Sequence, residues 1–171
     1  MKKAVCVLTN NGPGISGHIE FYENPGGSID IHVNVKGLKP GLHGFHIHQT
    51  GDLRKGCSSL CSHFNPFGVD HGDISDTREH RHIGDLGNIL VDNDGTANYS
   101  FTDKLIKLRG KCNIVGRSVV IHELEDDLGV GGLDFDSNDH YVIVDPVQYE
   151  ESRKTGNAGK RIACGVIGWI E

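Results

Sequence analysis

No apolar run in the 171 residues approaches the roughly 20 that a membrane-spanning helix requires, so no membrane role is expected. Runs of positive charge are missing as well. Seventeen lysines and arginines stand against 23 aspartates and glutamates, a formal net charge of −6, which argues against nucleic acid as a partner. The basic start Met1-Lys2-Lys3 is followed by too short an apolar stretch for a signal peptide, so the expected address is cytoplasmic. The cysteines are few and odd in number: Cys6, Cys57, Cys61, Cys112 and Cys164. A disulfide framework is thereby disfavoured, although a single special bridge is allowed, and spacing alone does not say which pair would form it. No segment sustains a helical period over three turns.

What is present alternates. Apolar residues recur at every second position in residues 18–23 (Ile19, Phe21) and 28–35 (Ile29, Ile31, Val33, Val35), as in half-buried strands. Residues 88–91 and 96–102 flank the hairpin turn signal Asp92-Asn93-Asp94-Gly95, and residues 114–123 and 164–170 are further strand-like runs. The start of the chain reads as a first strand. Short strands divided by glycine, asparagine and aspartate turns predict one all-β domain over residues 1–171, an antiparallel sandwich or barrel. Two stretches break the rhythm. Residues 49–84 are polar and glycine-rich, too long for a structureless loop unless it is functional or cross-linked. Residues 124–160 begin acidic and contain the apolar insert Tyr141-Val142-Ile143-Val144.

Histidine is abundant: eleven in all, seven of them between His43 and His82. Imidazole is the commonest protein ligand for copper and zinc, and a carboxylate can complete a tetrahedral zinc site. His46 and His48 lie two apart and so point to one face of a strand, and His122, in Val119-Val120-Ile121-His122, can join them from another. Read alone, His122 is equally a solvated strand histidine. His63, His71, His82 and Asp85 supply three imidazoles and a carboxylate from one stretch. A dense mixed set of this kind reads as a metal centre.

On these residues the chain resembles the copper/zinc superoxide dismutase family. The resemblance rests on four ordered motifs: Gly44-Phe45-His46-Ile47-His48; His63 to Asn88 with His71-Gly72 and His82-Ile83-Gly84-Asp85; Gly116 to His122 with Asp126-Asp127-Leu128-Gly129; and Gly156 to Gly168. It implies an eight-stranded antiparallel Greek-key β-barrel with long zinc-binding and electrostatic loops. It also implies superoxide as substrate, with one copper and one zinc per subunit. Copper would be held by His46, His48, His63 and His122, zinc by His63, His71, His82 and Asp85, with His63 bridging as an imidazolate that can take up a proton. Asp126 would tie a copper histidine to a zinc histidine. Arg161 would dock the anion, Lys154, Glu150 and Glu151 would shape the channel field, and Cys57 and Cys164 would form the disulfide. A homodimer paired through segments at Gly51, Val115-Gly116 and Ile167-Gly168-Trp169 is implied too, with a copper chaperone as a further partner.

His80 competes with His82, but the Ile-Gly-Asp-Leu-Gly-Asn context follows His82. Cys61 lies outside the family core and reads as a free thiol. Three other readings explain less. A dismutase-like copper chaperone lacks part of the copper set, whereas all four positions are filled here. A structural zinc module on Cys57, Cys61, His63 and His71 leaves His46, His48 and His122 without a purpose. A zinc deaminase needs a glutamate where Gln49 stands. The family pattern is interrupted by two residues before His82 and about 15 after Gly132. That second insert, residues 133–148, is expected to anchor against the outside of the barrel through a strand at Tyr141–Val144, turning its acids outward.

Overall fold

The alternation in the sequence becomes a curved antiparallel sheet. The structure, a computed structural model, describes residues 2–171; Met1, at the start of the expected first strand, lies outside them. The elements are β1 (Lys3–Val7), β2 (Asn10–Asn11), β3 (Ser16–Glu23), β4 (Ile29–Lys36), β5 (Gly41–His48), β6 (Arg54–Cys57), β7 (Asp85–Val91), β8 (Thr96–Asp103), β9 (Ser118–His122), β10 (Leu133–Phe135), β11 (Tyr141–Ile143), α1 (Pro146–Thr155) and β12 (Arg161–Ile170). Eight strands run in the order β7-β5-β9-β12-β1-β3-β4-β8, with β2 paired to β12. The two ends of this series, β7 and β8, are joined by the expected turn, where Asp92 N–H donates to Thr96 O and Gly95 takes a left-handed φ of 81°. The result is the all-β, nearly closed eight-stranded barrel that the sequence implied.

Ile29, Ile31, Val33 and Val35 of β4 point inward, and with Phe21, Phe45, Ile89 and Ile121 they fill one apolar core. β5 departs from this one-sided pattern. From His43 to His48 every residue is buried, because residues 49–84 fold back over its outer face. Phe64 N–H donates to Ile47 O and Ile47 N–H to Gly84 O, while Gly84 N–H donates to Phe64 O. Backbone bonds therefore give order to a stretch with one short strand, β6, and Cys57 at its end is bonded to Cys164 of β12. The register shifts at Gly44/His46 between β5 and β7, and again at Arg161/Ala163 between β12 and β9. Such irregularities re-aim side chains, and both lie beside the histidines.

Two expectations need correction. The stretch 124–160 holds a helix, α1, that no periodicity announced. It is only ten residues long and buries only Ser152, so it has no apolar stripe to detect. Its signals are local: Asp145 caps the N–H groups of Val147 and Gln148, Pro146 opens the first turn, and Gly156 closes the helix at φ 68°. The insert, which was expected to lie on the barrel, instead stands away from the core as the separate two-stranded sheet β10–β11. Tyr141, Ile143 and Val144 are all more than half exposed. Residues 146–148, counted with the insert, belong to α1.

A buried ion pair ties the histidine-rich stretch to the barrel. The Arg81 guanidinium donates to the Asp103 carboxylate at the end of β8 and to Asp85 O, and both side chains are 1% exposed. Asp103 also accepts from the N–H groups of Leu105 and Ile106. Removing one partner strands a buried charge, which costs about 3–5 kcal/mol. Arg81→Met is therefore expected to lower the unfolding free energy of the metal-free protein by that amount in denaturant titration, and Arg81→Met/Asp103→Leu to recover part of it.

Candidate metal centre

Two strands and the covering stretch deliver the first set of imidazoles. His46 and His48 share the outer face of β5, and His122 ends the neighbouring β9, where Arg161 of β12 is its register partner. His63 bridges to His48 from the covering stretch. One ring nitrogen from each of His46, His48, His63 and His122 lies within 4.8 Å of the others, and all four residues are buried.

The rings are held by their far sides. His46 Nε2 lies 2.6 Å from Asp126 Oδ2, His48 Nδ1 2.9 Å from Cys61 O, and His122 Nδ1 3.0 Å from Gly159 O. Each acceptor fixes the N–H on that nitrogen. The opposite nitrogens, His46 Nδ1, His48 Nε2 and His122 Nε2, are buried with no hydrogen-bond partner among the described residues. Unpaired buried polar atoms are costly, and convergent ones fit a cation. Burial also holds His46 and His48 well below the usual histidine range and His122 down to about 4, helped by neighbouring imidazoles. Neutral imidazoles with free lone pairs are the form that binds metal.

The second set centres on Asp85. His63 Nδ1 lies 2.8 Å and His82 Nδ1 3.1 Å from Asp85 Oδ1, His71 Nδ1 lies 3.0 Å from Oδ2, and the His63 and His82 nitrogens are 3.4 Å apart. A tetrahedral ion with bonds near 2.0 Å spaces its ligands about 3.3 Å apart, so this spacing suits zinc. His46, His63, His71 and Asp85 also come within 4.8 Å of one another. Burial alone would raise Asp85, but hydrogen bonds from His63, His71 and His82 outweigh it and hold the carboxyl well below its usual range. Burial likewise opposes charge on His71, yet its bonds to Asp126 and Asp85 lift it to about 10. The second set thus attracts positive charge, and a divalent ion would answer it better than one proton.

Asp126 joins the two sets, since its second oxygen lies 2.8 Å from His71 Nε2. Asn88 holds its backbone from both sides, donating to Asp126 O and accepting from Asp126 N–H, each at 2.8 Å. Gly156 closes over it. A Cβ there would meet Asp126 Oδ1 at 2.0 Å and His71 Nε2 at 2.5 Å, so no larger residue fits. Asn88 and Gly156 lie within the motifs but carry no sequence signal of a task, because their work is done through a backbone and an absent side chain. His43 carries none either, and its Nδ1 and Nε2 meet His122 O and Lys39 O at 2.8 and 2.9 Å.

A cavity of about 390 Å³ opens onto His48, His63 and His122, with Arg161, Lys154 and Glu151 among its lining residues. Arg161 is pinned there by Cys57 O and Cys61 O, at 2.7 and 2.6 Å. Lys154 Nζ lies 3.5 Å from Glu150 on exposed α1. A larger cleft of about 800 Å³, floored by Leu86, Tyr99 and Phe101, contains no histidine. His80 is exposed, and among the described residues its ring bonds only Thr77, at 3.3 Å, away from both donor sets. Cys61 is an exposed free thiol, while Cys6 is buried and pushed up to about 12.

Comparison with known proteins agrees with the donor chemistry. The family model for copper/zinc superoxide dismutase matches residues 15–167. A superoxide dismutase [Cu-Zn] of Paramecium bursaria Chlorella virus 1 is 50% identical over 169 residues, covering 98% of this chain and 79% of that protein. The crystal structure of the clock protein EA4 superposes with a TM-score of 0.82 at 41% identity, covering 98% of this chain and 94% of the other. With two clustered imidazole sets and a family match over most of its length, the chain belongs to the copper/zinc superoxide dismutase family.

Proposed function

We propose that the chain converts two superoxide radicals and two protons into dioxygen and hydrogen peroxide, using copper on His46, His48, His63 and His122 and zinc on His63, His71, His82 and Asp85, one of each per subunit. The observation that carries this reading is the pair of buried donor sets with His63 common to both. His82 is preferred to His46 for the zinc set. One nitrogen of His46 is already taken by Asp126, and the other is the unpaired atom of the first set. Copper, when bound, supplies the one-electron cycle that oxidises one superoxide and reduces the next, while zinc, which has no redox chemistry, fixes its ligands.

The residues do the rest. Arg161, held by two carbonyls beside His122, offers a fixed cation at the cavity to an anion that the net charge of −6 would otherwise repel. Lys154 adds a second positive charge, and Glu150 and Glu151 limit how far that field spreads over α1. Asp126 and Asp85 orient the rings, and such outer partners sharpen metal sites. His63, whose Nδ1 faces Asp85, would hold copper through Nε2 and, when released from it, can carry a proton on that nitrogen for the departing peroxide.

The chain is further read as one catalytic domain, cytoplasmic, receiving copper from a chaperone and acting as a homodimer. Support for pairing comes from the segments at Gly51, Val115-Gly116 and 167–169, where Trp169 is half exposed under the Arg109 guanidinium. A Cβ on Gly51 would meet Gly116 O at 2.5 Å, so these segments pack closely.

Metal analysis together with a dismutation assay tests the assignment. His122→Ala should abolish dismutation and most copper binding while zinc and the disulfide keep the fold, and activity retained in the metal-replete variant would overturn it. His82→Ala should lower zinc content and melting temperature together, because an ion bound only by the native state stabilises it. His80→Ala should change neither, and the reverse ranking would move the zinc set by two residues.

Arg161→Glu makes an independent forecast. With copper still bound, kcat/KM should fall by more than about tenfold, and its decline with added salt should flatten or reverse. Unchanged kinetics at low ionic strength would mean that another cation steers the anion.

A further inference from the structure

The hairpin β10–β11 is an ordered element that the channel chemistry does not use. Leu133 stands opposite Ile143 and Phe135 opposite Tyr141, so all four side chains share one face. Phe135, Tyr141 and Ile143 are each more than half exposed, and the two rings lie 4.5 Å apart. Isolated exposed apolar residues are ordinary, but a contiguous set marks an interaction site. The exposure does not come from looseness. The Asp136 carboxylate accepts from the N–H groups of Asn138 and His140, and Gly132 O accepts from those of Val144 and Asp145. A face fixed in advance loses little freedom on binding.

The charges around it narrow the occupant. Residues 133–148 contain Asp134, Asp136, Asp139 and Asp145 but no lysine or arginine, and His140 sits 3.6 Å from Asp136. A second copy would set these acids against their own kind, and an anionic lipid surface would be repelled; a cationic chain has its charge answered. The sheet has only two strands, so its outer edges are open to an added strand, and aromatic faces accept lysine or arginine. We propose that this hairpin docks an extended segment of a partner protein in which basic and apolar residues alternate. The acids would meet its cations, and Phe135, Tyr141 and Ile143 its apolar side chains.

The test uses the metal-loaded, disulfide-intact full chain. Its probes are a short fluorescein-labelled peptide alternating lysine with valine and phenylalanine, and a counterpart with glutamate for lysine, read by anisotropy. The lysine peptide should bind and the glutamate peptide should not. Phe135→Ser/Tyr141→Ser and Asp134→Asn/Asp139→Asn should each weaken binding at least about tenfold, the loss expected of central anchors, with metal content, melting temperature and dismutation unchanged. Equal binding of both peptides, or full binding by both variants, would overturn the proposal. So would self-association in sedimentation velocity, or cosedimentation with phosphatidylserine vesicles, that Phe135→Ser/Tyr141→Ser abolishes; these would assign the face to a second copy or to a membrane.

Discussion

A carboxylate sealed from water must have both oxygens answered by the protein, and Asp126 has His46 on one and His71 on the other. This one group touches both donor sets. It fixes the N–H of His46 on Nε2 and so leaves Nδ1 bare toward the other imidazoles, and it helps lift His71 to about 10. Asn88 gives it a fixed backbone, Gly156 the space, and Leu128 N–H a third bond at 2.7 Å. The tight left-handed residues around it, Leu128 and Gly129 on one side and Gly156 and Asn157 on the other, are what bringing two chain segments onto one carboxylate requires.

The same economy governs the anion side. Cys57 and Cys164 close a separation of 107 residues, for which loop-closure entropy gives about 4.7 kcal/mol of stabilisation. Its consequence at the site is positional. The bonded stretch offers Cys57 O and Cys61 O to Arg161 and Cys61 O to His48, so one short loop holds both a ring of the first donor set and the guanidinium at the cavity. Leu60, fully buried against Val120 and Cys164, keeps that loop seated between β9 and β12. Structural cross-link and site geometry are therefore not separable here.

Legibility in the sequence followed the range of the interaction. Strands with one buried face, such as β4 with Ile29, Ile31, Val33 and Val35, print a period of two and were readable. The two donor sets were legible because clustered histidines are conspicuous; all four members of the first set, and His63, His71, His82 and Asp85 of the second, come together. What escaped was work done without a distinctive side chain: Asn88 bonding a backbone, Gly156 leaving room, two carbonyls holding Arg161. α1 escaped because ten residues with one buried member have no stripe. The insert was misjudged for the opposite reason. Tyr141 to Val144 look like core by composition, and composition cannot say whether a core lies within reach.

The electrostatic problem, a negative protein collecting an anion, resolves by distance. The Debye length near physiological salt is about 8 Å, so most of the chain's net −6 contributes little inside the channel. The charges that count are those lining the cavity: Arg161 and Lys154 against Glu151, a local surplus of one positive charge before any metal is added. Of these, only Arg161 is rigid and partly desolvated, since Lys154 and Glu151 are exposed on α1. Field strength rises as the local dielectric falls, so the half-buried guanidinium outweighs its exposed neighbours at the point nearest His122. The chain can thus keep acidic residues over the rest of its surface, including the hairpin, without losing its hold on superoxide.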